Sequence, residues 1–243
     1  MLRLRSSCDQ LKNSVQFYHM RIVKEYSFKE GKEFVTEHHP EELAEVISTI
    51  EHLDAISCLT KASSEKTKSG QLLFSPLDLN KAMKLELCSS GWTEKSNGKK
   101  GYIEPRHKFN GNRFREMDGL KNKVGLEIQF GKYAFMGYDI FSKMVIFNKL
   151  GFIECGIEVV PGNELCKHMS TGVSDFDQLM IGFEYRGEAD IDIPVYVLGI
   201  GLTDREKSER ERLQALYIND KEAALKEIKL REYKGAPPGP KNL

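Results

Sequence analysis

The sequence predicts an α/β fold with a mixed central β-sheet flanked by helices, and three observations carry that expectation. Apolar runs of strand character start at Met20 (MRIVKEYS) and recur at 124–130, 152–160 and 193–200, and stretches of helical period lie between them. The 243 residues are 40% hydrophobic and 30% charged, too apolar for global disorder and ordinary for a packed globular chain. The longest candidate apolar stretch, Ile193 to Leu202, is about half the roughly 20 residues a membrane-spanning helix needs. The N-terminus has cations but no apolar run behind them, so it does not read as a secretory signal.

Taken in order, residues 1–19 are polar and without pattern and read as an upstream extension, with Met20 as the functional start. From Pro40 to Leu53 the residues Leu43, Val46, Ile47, Ile50 and Leu53 form a helical stripe. Pro40 sits in its first turn, and Glu41 and Glu42 complement the helix dipole. A polar loop, TKASSEKTKSGQ, then leads through Phe74-Ser75-Pro76 into a second helix over 77–89. Residues 91–113 are rich in Gly, Asn and Lys and read as irregular, with room for a hairpin. Leu126, Ile128 and Phe130 alternate with Glu127 and Gln129, the period of a half-buried strand. Phe135, Ile140, Phe141, Met144, Val145 and Phe147 repeat at helical spacing, and Gly151 stands where that helix would stop. Strands follow at 152–160 and 193–200. Residues 203–243 form a charged helical C-terminal extension ending in GAPPGPKNL, a loose tail. The catalytic or binding domain is therefore expected over 20–202.

Charge and cysteine usage narrow the class. The 36 cations balance 36 anions, so no global bias toward nucleic acid exists. Residues 95–123 nevertheless hold nine Lys or Arg against three acids, enough for local phosphate contacts or simply a solvated surface. The five cysteines (8, 58, 88, 155 and 166) contain no C-x-x-C pair, which argues for reduced thiols in a cytoplasmic protein and against a zinc site. His38 and His39 are adjacent and would point apart, and His107 and His168 read as surface or DNA-facing residues rather than ligands. Gly199 and Gly201 make a G-x-G after a strand, but without the rest of a nucleotide-binding fingerprint.

The segment 118–132 carries the chemistry. Glu127 and Gln129 are two apart on a strand and leave the same face. A turn after Asp118 can bring its carboxylate beside Glu127. Two convergent carboxylates call for a cation, and hard oxygen ligands select Mg²⁺, to which the Ile128 carbonyl can add. Mg²⁺ beside a phosphate would support phosphodiester hydrolysis. From spacing alone this signal is weak, and an Asp in a turn with a Glu on an exposed strand face is the more common explanation.

The run VGLEIQFGKYAFMGYDIFSKM (124–144) resembles the core of the BglII/BstYI family of type II restriction endonucleases, nearest to its BstYI branch. TKASSEKTKSGQLLFSP (60–76), IECGIEVVP (153–161), ELCKHMSTGVS (164–174) and VYVLGIG (195–201) match in order and spacing, so the resemblance covers roughly Met20 to Gly201. It implies a PD-(D/E)xK nuclease core working as a homodimer on double-stranded DNA. It further implies Mg²⁺-dependent hydrolysis of both strands at a GATC-centred palindrome, purine-GATC-pyrimidine being the first candidate, with 5′-phosphate ends. A cognate methyltransferase would protect host sites without being a bound partner.

By the same resemblance Asp118, Glu127 and Gln129 are catalytic, Gln129 standing where the usual motif has Lys. Asp118, Glu127 and the Ile128 carbonyl would hold the metal. Gln129 is a neutral amide and positions water rather than acting as a base. Lys132, Ser170 and Thr171 would read bases, while Lys66, Lys68, Arg106, Lys108 and Arg113 would contact phosphates. Lys132 as a phosphate contact and Ser170 as a turn cap are the plainer alternatives. The helices at 135–150 and 40–53 are candidate dimer faces. A repair nuclease on the same core, or a non-catalytic DNA-binding protein, would share most of these features.

Overall fold

The computed structural model describes residues 20–231; the expectations for 1–19 and for the end of the tail lie outside them. The chain runs β1 (Arg21–Phe28), α1 (Gly31–His38), α2 (Pro40–His52), β2 (Lys61–Ala62), β3 (Leu72–Leu73), α3 (Pro76–Ser89), β4 (Glu94–Lys95) and β5 (Tyr102–Ile103). It continues with β6 (Arg106–Lys108), β7 (Phe114–Glu116), β8 (Gly119–Lys121), β9 (Val124–Ile128), α4 (Tyr133–Tyr138) and α5 (Val145–Lys149). The last elements are β10 (Cys155–Pro161), α6 (Asn163–Lys167), α7 (Phe176–Arg186), β11 (Val195–Gly201), α8 (Asp204–Asn219) and α9 (Lys221–Lys229). Residues Asp139–Met144 join α4 to α5 as a π-helical turn, so 133–149 is one interrupted helix.

The central sheet has the order β1-β11-β10-β9-β8. The β9-β10 and β10-β11 pairs are parallel and the two outer pairs antiparallel, which is the mixed sheet expected. Alternating side chains divide the interior. Val124, Leu126, Ile128, Cys155, Ile157, Val159, Tyr196, Leu198 and Ile200 face one core, shared with α2 and α3. Val160, Val195 and Val197 face a second core, with Met136, Ile140, Met144 and Phe147 of the interrupted helix and Phe176, Leu179 and Phe183 of α7. Gly31 lets α1 start against β11, since a Cβ there would lie about 2.2 Å from the Val195 carbonyl carbon.

The helix starts follow local chemistry. Ser75 caps α3 by accepting from the Asp78 N–H, and Thr203 with Glu206 forms a capping box on α8. Gly151, at φ 77°, ends the interrupted helix. The charged segment after 203 is more than a surface cover, because Leu213, Tyr217, Ala224 and Ile228 belong to the first core. Gly199 and Gly201 lie inside β11, paired with β1, so they form no phosphate loop. The irregular stretch at 91–113 resolves into two short hairpin pairings, β4-β5 and β6-β7. Among the described residues no helix is long and apolar enough to cross a membrane.

Candidate active site

Asp118 and Glu127 meet because of a two-residue turn. Asn122 and Lys123 adopt left-handed backbone (φ 43° and 70°) between β8 and β9, the tight hairpin geometry that matches strand twist. The register pairs Gly119 with Leu126 and Lys121 with Val124, so one step further sets Asp118 level with Glu127. Asp118 Oδ2 accepts from the Ile128 N–H at 2.8 Å. Its Oδ1 lies 2.5 Å from the ammonium of Lys84, a buried residue of α3 that also reaches Glu104 at 3.5 Å.

β9 is buried along its whole length rather than half-buried. Glu127, only 2% exposed, turns away from the first core and lies under the interrupted helix. Its Oε2 is 2.8 Å from Lys143 Nζ, and its Oε1 has no hydrogen-bond partner among the described residues. An exposed-face glutamate is therefore the wrong picture of this position. Burial, with the Asp118 charge behind it, pushes the Glu127 carboxyl well above the usual range, while Lys143 pulls it back. Glu158 on β10 stands directly beside Glu127 in the parallel register. It is fully buried, and neither carboxylate oxygen has a partner among the described residues. Burial, followed by the charges of Asp139 and Glu127, raises it as well. Such a group is neutralised rather than left as a bare buried charge.

Gln129 carries the pattern one step on. Its N–H donates to the Val159 carbonyl at 2.8 Å, its Nε2 to Asp139 Oδ2 at 2.8 Å, and its Oε1 accepts from the Gly131 N–H at 2.8 Å. The amide is thus fixed at both ends. Lys84, Asp139, Lys143 and Glu158 are not singled out by sequence reading, yet all four touch or crowd the Asp118–Glu127 pair. A glutamate in the middle of the apolar run at 155–160 is the one visible signal.

A second cluster borders the first. Lys132 forms an isolated bridge with Val173, and the Gly131 carbonyl accepts from the Ser174 N–H at 3.1 Å. Lys61 Nζ donates to Ser170 Oγ, and Glu65 Oε2 accepts from the Thr171 N–H at 2.8 Å. Lys68 donates to the carbonyls of Lys167 (3.0 Å) and Met169, so its ammonium staples this loop from inside. Lys132 and Thr171 remain exposed, with Lys66 nearby in sequence also exposed. Lys61, Glu65, Lys132, Ser170 and Thr171 therefore share one flank beyond the C-terminal end of β9. Arg106, Lys108 and Arg113 sit apart from it, on and between β6 and β7, all exposed, with Arg106 Nε donating to Glu116 at 2.7 Å. Lys121 pairs with Glu45 at 2.6 Å and Lys123 caps the Gly151 carbonyl, so that part of the basic block is internal bracing.

The family model described as restriction endonuclease BglII/BglIII matches residues 23–200, more than half of the chain. Restriction endonuclease BglII complexed with a DNA 16-mer superposes with a TM-score of 0.55 at 19% identity, over 72% of this chain and 74% of that one. Free BglII aligns at 17% identity and a TM-score of 0.48, over 74% and 79% of the two chains. A search of curated proteins returned no match. At 19% identity the DNA-bound BglII structure establishes the fold, a mixed α/β architecture around a mixed central sheet, and the family model, matching more than half of the chain, establishes the family: the chain belongs to the BglII family of restriction endonucleases.

Proposed function

We propose that the chain is a Mg²⁺-dependent type II restriction endonuclease that hydrolyses both strands of duplex DNA at a GATC-centred palindrome, purine-GATC-pyrimidine first, leaving 5′-phosphate ends. The observation that carries this reading is the carboxylate pair Asp118–Glu127 at the β8-β9 edge, in a chain of this family. The donor set suits a hard cation: two carboxylates and the Ile128 carbonyl. Glu127 Oε1, buried and without a protein donor among the described residues, is the kind of atom a cation satisfies. Asp118, Glu127 and Ile128 would hold the ion. Bound there, Mg²⁺ supplies a water of lowered pKa and charge stabilisation at the scissile phosphate.

The protein's own groups do the rest. The Ile128 N–H and Lys84 fix the Asp118 carboxylate. Gln129 presents a neutral amide, held by Asp139 and Gly131, that can orient water but not remove its proton at neutral pH. Lys132, Ser170 and Thr171 border this centre, where a lysine can donate to guanine O6 and N7 in the major groove. The DNA-bound BglII relative supports duplex DNA as the partner. Lys66, Lys108 and Arg113 are exposed and suited to phosphates, with Arg106 shared with Glu116; Lys68 serves the loop instead.

A homodimer fits a palindromic site. Of the two candidate helices, α2 sinks Val46 and Ile50 into the first core. The start of α4 leaves Tyr133 and Phe135 about half exposed, and is the better dimer face.

Incubation of the purified protein with unmethylated plasmid and Mg²⁺, followed by sequencing of fragment ends, tests the reading. Discrete GATC-centred ends that vanish in EDTA are expected. Binding without cleavage would move the chain to the non-catalytic class, and motif-free cleavage to the repair class.

A further inference from the structure

Lys143 touches Glu127 from the opposite layer. Its Nζ lies 2.8 Å from Glu127 Oε2 and 2.7 Å from Asp139 Oδ1, and its side chain is only 14% exposed. Both residues of the helix that take part, Asp139 and Lys143, lie in the π turn. Such turns are rare, and they concentrate at functional sites.

Core packing does not account for this arrangement. Met136, Ile140 and Met144 already fill the apolar stripe against the sheet. A buried ammonium between two carboxylates costs several kcal/mol of desolvation, and replacing the whole ionic cluster by apolar side chains of similar volume is often as stable or better. Gln129, on the same strand face as Glu127, brings no charge, and its amide is turned to Asp139. Among the described residues, the cation that pairs with Glu127 comes from the helix and not from the strand.

We infer that Lys143 is a positioning residue for the proposed hydrolysis. It fixes Glu127 through Oε2 and leaves Oε1 for the reaction centre, while Asp139 ties Lys143 and Gln129 Nε2 together. The inference rests on the nuclease reading for its consequence and on geometry for its contact. It assigns to the π turn the task of delivering a cation that strand β9 does not carry.

The full-length protein with Lys143→Met, Lys143→Gln or Lys143→Arg provides the test. Single-turnover cleavage by the Met variant should fall about 10²-fold or more, the usual cost of a misplaced catalytic group. Duplex affinity in EDTA should stay within about threefold, and the Arg variant should recover at least about tenfold over Met, a split that a purely structural loss would not give. Cleavage by the Met variant within about threefold of the unmutated protein would overturn the inference. Should that variant not fold, the same rate limit applied to Lys143→Gln decides.

A melting cycle with Glu127→Gln keeps the inference separate from the nuclease reading. Lys143→Met should lower Tm by roughly 10 °C when Glu127 is present and by much less when it is Gln. Equal losses in both backgrounds would mean that Lys143 and Glu127 are not coupled in solution, whether or not the protein cuts DNA. A protein that cuts no duplex while showing the coupling would instead overturn the proposed function.

Discussion

Two adjoining regions of this molecule are held in opposite ways. The centre between β9, β10 and the π turn is buried, and its charged groups grip one another: Glu127 and Asp139 share Lys143, and Glu158 sits fully enclosed beside them. The flank beyond β9 is exposed, and its side chains grip backbone: Glu65 takes the Thr171 N–H, and Lys68 takes the carbonyls of 167 and 169. Burial fixes a carboxylate on a strand at a high desolvation cost, so every atom there is constrained by its neighbours. Stapling fixes only the course of a loop, and leaves the Lys132 side chain exposed. A change in the first region should therefore act on rate and stability together. A change in the second should act on selectivity.

The largest expected effect breaks the comparison most directly. Glu127→Ala or Asp118→Asn should lower single-turnover cleavage by about 10³-fold or more, while duplex binding in a gel shift survives. Full cleavage by either variant in Mg²⁺ would place the chemistry elsewhere. Lys132→Ala comes next. It should weaken discrimination between a GATC site and single-base variants by about 1–3 kcal/mol for each bidentate base pairing that the lysine makes. If affinity instead falls evenly across all sequences, with a smaller salt slope, Lys132 is a phosphate contact and the flank does not read bases through it. Glu65→Ala is the subtler version. It strips the acceptor from the Thr171 N–H and from the Thr171 hydroxyl, and one hydrogen bond of this kind is worth about 1 kcal/mol. Competitive cleavage of cognate and near-cognate sites should show a loss of selectivity of about fivefold for each such bond, with the cognate rate nearly unchanged. A fall in the rate with selectivity intact would mean that the loop serves catalysis.

The two regions also differ in how much of them the sequence discloses. Asp118, Glu127 and Gln129 are readable because strand alternation puts 127 and 129 on one face and a short turn returns the chain to 118. The helix at 133–149 is readable as an apolar stripe, yet the stripe hides its function. Asp139 and Lys143 stand four apart, a spacing that on a surface helix signals an ordinary solvated pair. Nothing local announces that a π turn faces them inward onto Glu127. Lys84 is hidden for a similar reason, since its partner Asp118 lies 34 positions away in the chain. Glu158 is visible as a charge inside an apolar run, and the half-buried reading of β9 fails for want of it. A strand buried on both faces can carry acids only where a cation or a proton meets them, and that partner comes from another layer. In the flank, the stapling by Lys61, Glu65 and Lys68 joins residues separated by 109, 106 and 101 positions, beyond the reach of any periodicity.

The smallest expected effect uses pH to separate the regions. His168 follows α6 and gives its carbonyl to the Phe74 N–H at the edge of the flank. Burial, and then the Arg210 charge, hold its imidazole down to about 4, from an ordinary 6.5. Below 6.5 the unfolded chain binds this proton and the folded chain does not until near 4, so acid favours unfolding. Stability from His168 is thus complete above pH 6.5 and lost as pH falls toward 4. Glu127 and Glu158 run the other way: their raised carboxyls contribute most below the ordinary carboxylate range, and that contribution is lost as pH rises through their folded values. Melting the protein and a His168→Gln variant at pH 7 and again near pH 4.5 isolates the flank, because the carboxylates are common to both chains. The variant should lose fewer degrees than the unmutated protein over that interval, the gap amounting to a few degrees at most for a half-buried ring. A gap that stays constant would mean that His168 is already charged in the folded chain, and that the loop it adjoins is open to water well inside the first staple.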